Sequence, residues 1–85
     1  MAIELLYFAR VREAIGTNGE SVSPPAGVAT VADLVKWLAA RGVGYAEAFA
    51  NPALVRAAIG DVFAEPETPI AGAREIALFP PVTGG

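Results

Sequence analysis

The sequence predicts an α+β domain: a β-sheet packed on one main helix, with elements in the order β-β-α-β-β-β. Three observations carry this. A large apolar run opens the chain, a strongly periodic helix lies before its midpoint, and a two-residue turn joins two short apolar segments ahead of a last apolar run. The 85 residues leave room for one core only. A domain of this size buries roughly 60% of its unfolded surface, so that core is thin.

Residues 2–9, AIELLYFA, suit a strand. One parity holds Ile3, Leu5 and Tyr7, and the other Glu4, Leu6 and Phe8. Both sides are largely apolar, which places this strand inside the sheet rather than at an edge. VREAIGTNGE then supplies turn chemistry at Gly16, Asn18 and Gly19. ESVS reads as a second strand, stopped by Pro24 and Pro25.

The main helix follows. Thr30 is its N-cap, and Asp33 places negative charge in the first turn, where the helix dipole favours it. Val31, Leu34, Val35, Leu38 and Ala39 recur at i, i+3, i+4, i+7 and i+8, one face of a 3.6-residue period. Gly42 suits a left-handed C′ position. Trp37, one step off the stripe, is expected at the margin of the core. YAEAFANP adds a helical turn ending near Pro52. LVRAAI and VFA flank Gly60-Asp61 as a hairpin, PETPIAGA is a loop, and REIALF is the last strand, closed by Pro80.

Composition excludes several function classes. With no cysteine and no histidine there is no disulfide framework, no thiol nucleophile and no imidazole base or metal ligand. The net charge of −3 offers no basic stripe to nucleic acid or to anionic membranes. MAIELLYFAR lacks a basic n-region and is interrupted by Arg10, so it is neither signal peptide nor membrane span. The expectation is a cytoplasmic domain without a bound metal or cofactor. Hydrophobic residues make up 54% of the chain, a surplus for so small a core, and part of it should face a partner.

The segment ALFPPVTGG points to chemistry. Pro80-Pro81 ends sheet pairing and stiffens the exit, so residues 1–79 read as the folded domain and 80–85 as an extended tail. Six extended residues reach at most about 20 Å, enough to enter a partner's pocket. Gly84 and Gly85 carry no side chain, so this end threads a narrow channel and leaves the Gly85 carboxylate open to attack. Strand parity adds a docking patch: if Ile3, Leu5, Ile76 and Leu78 face the helix, then Leu6, Phe8, Ala77 and Phe79 share the outer face. The alternative is that a loop or the Tyr45–Phe49 segment covers them.

LFPPVTGG, LYFARVRE and the element order together closely resemble the small subunit of molybdopterin synthase, a ubiquitin-like β-grasp sulfur carrier with a mixed sheet. The resemblance runs over essentially the whole chain, and FPPVTGG is its most specific part. It implies a cycle run by partners. An adenylating enzyme uses ATP to convert the Gly85 carboxylate into an acyl-adenylate, and a sulfur donor replaces AMP to leave a thiocarboxylate. The large subunit, in a heterotetramer, then takes the tail and passes its sulfur to cyclic pyranopterin monophosphate. Gly85 and Gly84 would be the reactive end; Phe79, Pro80, Pro81, Val82, Thr83, Phe8 and Leu6 would be partner contacts. The chain would be carrier and substrate, with catalysis in its partners. A carrier for thiazole or thionucleoside synthesis, a modifier forming isopeptide bonds to lysines, and a binding-only β-grasp domain are the alternatives.

Two lesser groups complete the reading. Asp61, Glu65 and Glu67 form an acidic run expected to be a solvated loop rather than a cation site. Arg10, Arg12 and Arg74 flank the central strands and could meet acidic groups of a partner.

Overall fold

Alternation in the first and last strands sets the architecture. The computed structural model describes residues 2–81. Its strands are β1 Ile3–Tyr7, β2 Gly19–Val22, β3 Arg56–Ile59, β4 Val62–Ala64 and β5 Glu75–Phe79. They form one sheet in the order β2-β1-β5-β3-β4. β1 runs parallel to β5 and antiparallel to β2, and β3 runs antiparallel to β5 and β4. The sheet is therefore mixed, with the two ends of the chain meeting at its centre.

One face of the sheet carries the core. Ile3, Leu5, Tyr7, Ala57, Ile76 and Leu78 are buried there against Val31, Leu34, Val35 and Leu38 of helix α2, Val31–Ala39. Each fully buried Leu or Ile contributes about 1.5–3 kcal/mol of transfer free energy. The expected parity of Ile3, Leu5, Ile76 and Leu78 holds.

Helix α2 starts as its sequence dictates. The Asp33 amide donates to Thr30 Oγ1 at 3.2 Å, and Asp33 Oδ2 accepts from the amides of Thr30 and Ala29 at 3.2 and 3.1 Å. This reciprocal box satisfies donors that a helix start otherwise leaves open. Those two amides, Ala29 first, also hold the Asp33 carboxyl below the usual carboxylate range. Trp37 sits at the core margin, as expected.

Three local expectations are corrected. Turn geometry lies at residues 16–18, where the sequence placed it, but Ala9–Ile15 before it forms helix α1, ended by Gly16 at φ 94°, whose amide donates to the Arg12 carbonyl. The Gly16 signal was a helix stop, and seven residues are too few for a clear period. Gly42 is not left-handed. Helix α2 ends at Ala40 in right-handed geometry, and Gly42, at φ 166°, instead precedes helix α3, Val43–Ala48. The single turn expected near Tyr45 is thus a short helix, followed by a 3-10 turn at Pro52–Leu54. The Gly60-Asp61 hairpin forms between β3 and β4, with Gly60 at φ 64°.

Candidate functional site: an uncovered sheet face at the base of the tail

The second face of the sheet is set by strand register. Leu6, Ala77, Ala58 and Phe63 lie in one row across β1, β5, β3 and β4. Phe79 lies beside Arg56 in the next row toward the tail, and Glu4 lies beside Glu75 in the row at the opposite end. Phe8 continues the alternation in extended conformation, at φ −126° and ψ 152°, before α1 begins.

This face is open. Phe63 is 79% exposed and Phe8 47%, while Leu6, Ala58, Ala77 and Phe79 are half-buried. The rings of Phe63 and Phe79 meet at a centroid distance of 5.9 Å, tilted by 53°, within the range of favourable aromatic pairs. The Tyr45–Phe49 segment does not cover them. It packs against α1 and α2, and its Phe49 is buried in the core.

The tail leaves from the centre of the sheet. β5 ends at Phe79, and Pro80 and Pro81 offer no amide to extend its pairing. Pro81 borders two grooves. One is lined by Arg56, Phe63, Glu65 and Phe79, the other by Arg10, Glu47, Leu54 and Pro80. Val82, Thr83, Gly84 and Gly85 lie outside the described residues.

Phe63 and Arg56 were missed by sequence reading. The signal was present for Phe63: once Gly60-Asp61 is a two-residue turn, register puts Phe63 opposite Ala58, on the parity shared with Ala77. Arg56, two residues before Ala58, shares that parity, but no turn residue marks the start of β3 to show that the strand reaches it.

Charges elsewhere are solvated or internally paired. Asp61, Glu65 and Glu67 are exposed, and among the described residues no three metal-ligating side chains converge. Arg10 and Arg12 lie on α1 and Arg74 precedes β5, all exposed. The ion pair found among the described residues joins Arg41 to Glu20 at 3.8 Å, away from this face. No helix among the described residues is long and apolar enough to cross a membrane.

Known proteins resemble this chain in sequence and in fold. The chain is 37% identical over 83 residues to the molybdopterin synthase sulfur carrier subunit of Escherichia coli (strain K12), covering 98% of this chain and 99% of that one. The crystal structure of SAMP1 from Haloferax volcanii superposes with a TM-score of 0.70 at 28% identity, over the full length of both chains. A Pyrococcus furiosus structure assigned as subunit 1 of a molybdopterin converting factor reaches a TM-score of 0.75 at 24% identity, over 96% of this chain and 99% of that one; this likeness speaks for the fold alone. The fold is therefore the ubiquitin-like β-grasp, and its sheet face and tail are those of a homologue of the molybdopterin synthase sulfur carrier subunit. The model of the ThiS family matches residues 5–85, and with a central strand that runs out through Phe79 into Pro-Pro-Val-Thr-Gly-Gly, the chain belongs to that family.

Proposed function

We propose that this chain carries sulfur on its C-terminal glycine for molybdopterin synthesis. The observation that supports it most is the 37% identity to a molybdopterin synthase sulfur carrier subunit over nearly the whole of both chains. In this reading the Gly85 carboxylate attacks the α-phosphate of ATP in an adenylating partner, releasing pyrophosphate. A sulfur donor attacks the resulting acyl-adenylate and AMP leaves, giving a thiocarboxylate. A carboxylate is a poor electrophile, and AMP is the leaving group it lacks. The thiocarboxylate is anionic at neutral pH and its sulfur is a good nucleophile. Two such transfers to cyclic pyranopterin monophosphate, in the large subunit of a heterotetramer, build the dithiolene.

The chain's own part is presentation. Phe79, Phe8 and Leu6 seat the partner, and Pro80, Pro81, Val82 and Thr83 lead Gly84 and Gly85 into its channel. Histidine and cysteine are absent from the sequence, so activation and transfer fall to partners in the cytoplasm.

A second reading is supported by the likeness to SAMP1: the same activated carboxylate joins a lysine amine as a modifier. One experiment separates them. The protein is incubated with the adenylating enzyme, ATP and a sulfur source, and C-terminal peptides are read by mass spectrometry. Sulfur replacing oxygen at Gly85 supports the carrier; a Gly85 isopeptide on lysine supports the modifier. An unaltered Gly85 with competent partners present rejects both.

A further inference from the structure

The uncovered sheet face has charge at both ends and apolar side chains between. At one end Glu4 and Glu75 are register partners on adjacent parallel strands, on the same face and both exposed. Like charges directly opposite cost stability, and the fold offers little in return. Ser21 Oγ donates to Glu4 Oε2 at 2.6 Å, and no ion pair is made to either carboxylate among the described residues. At the other end stands Arg56. Its Nη1 donates to the carbonyls of Ala53 and Val55 at 3.1 and 3.5 Å, which steadies the guanidinium. Glu65 borders the same groove without pairing to it. From Glu75 to Phe79, the neighbour of Arg56, β5 rises four steps, about 13 Å, and the row of Leu6, Ala77, Ala58 and Phe63 lies between.

We propose that this polarised face orients the large subunit, setting a basic side chain of that partner over Glu4 and Glu75 and a carboxylate beside Arg56. This rests on the carrier reading, because the partner is the one that takes the tail. The tail leaves from the Arg56 end of the face. A partner docked the wrong way round sets like charge against like and points its channel away from the end of β5, where the tail begins. Complementary charge at the two ends selects the productive orientation, while the apolar strip between them supplies affinity.

The test follows association of the full chain with the large subunit of the same genome by surface plasmon resonance at low and high salt, and sulfur gain with the adenylating enzyme of that genome is measured beside it. Glu75→Gln is compared with Glu67→Gln, and Arg56→Gln with Lys36→Gln, so that each pair changes net charge equally. The expected result is that Glu75→Gln and Arg56→Gln slow association roughly threefold or more and flatten its salt dependence, while both controls match the wild type. Glu75→Gln is also expected to raise the melting temperature, since it removes a like-charge pair that only docking requires. If both face variants bind like their controls while Phe79→Ala still weakens binding, the orienting role is overturned and the carrier reading stands. A lower melting temperature for Glu75→Gln overturns it too, because the carboxylate then serves the fold. If the wild type neither binds these partners nor gains sulfur, both readings fall.

Discussion

Tyr45 and Glu20 lie 25 residues apart in sequence, yet the Tyr45 hydroxyl donates to Glu20 Oε2 at 2.5 Å. Tyr7 donates to the same oxygen at 2.8 Å, and Arg41 approaches Oε1 while lying over the rings of Trp37 and Tyr45, at 5.1 and 5.4 Å from their centroids. One carboxylate thereby ties β1, β2, α3 and the end of α2 together. Removing it leaves the Tyr7 hydroxyl, on a residue 1% exposed, without its acceptor. Glu20→Ala is expected to cost about 2–3 kcal/mol, and Tyr45→Phe about 1 kcal/mol. Urea denaturation checks the order; equal losses would show that the carboxylate does not act as the hub.

The same hub sets an alkaline limit. Burial first, then the Glu20 hydrogen bond, pushes the Tyr7 hydroxyl far above the ordinary tyrosine value. For Tyr45 the Glu20 bond leads, and the direction is the same. Both hydroxyls stay protonated in the folded chain at a pH where the unfolded chain releases those protons. Their contribution is complete below about pH 10, the unfolded value, and falls as pH rises beyond it because the folded state then binds more protons than the unfolded one. Denaturation midpoints should decline above pH 10 in the wild type and decline less steeply in Tyr7→Phe. Parallel curves for the two would overturn the assignment.

Helix α3 depends on a missing side chain. A Cβ on Gly44 would lie 2.5 Å from the Ala14 carbonyl oxygen of α1, whereas one on Gly42 would meet only Tyr45 Cδ2, at 3.6 Å. Gly44→Ala should therefore force α1 and α3 apart and cost about 1–3 kcal/mol. Gly42→Ala, at an extended φ, should be close to neutral. Thermal unfolding of the two variants decides it, and an equally mild Gly44→Ala would mean that the two helices shift freely.

How much of this was legible follows from the length of each signal. Helix α2 was readable because its apolar period spans nine residues and Thr30 and Asp33 mark its start. The central strands were readable because both parities are apolar, and parity correctly placed Leu6, Phe8, Ala77 and Phe79 opposite the helix. Helix α1 was hidden, since a seven-residue helix is held by tertiary contacts rather than by propensity. Gly42 misled because two elements compete for it: the end of α2 and the start of α3. The hairpin register groups Phe63 with Ala58 and Arg56, but the face they share, like the Glu4–Glu75 juxtaposition, follows from the strand order, which no local pattern encodes.

Stability and docking should separate between two residues on opposite faces of the sheet. Leu78 is fully buried and Phe63 is 79% exposed, although β3 stands next to both their strands. Leu78→Ala opens a cavity in the core and should cost about 2–5 kcal/mol, lowering the melting temperature by at least 8 °C on the scale of roughly 4–8 °C per kcal/mol for a domain of this size. Phe63→Ala removes little buried area and should stay within about 1 kcal/mol of wild type. Its effect belongs to the partner. The Phe63–Phe79 ring pair stands on the open face, and truncating an aromatic anchor commonly costs 1–2 kcal/mol or more, about tenfold in affinity. Calorimetric titration with the large subunit, run beside thermal melts, gives both quantities on the same samples. Phe63→Ala that melts and binds like the wild type would remove this face from the docking surface. Loss of both stability and binding would show instead that Phe63 belongs to the fold.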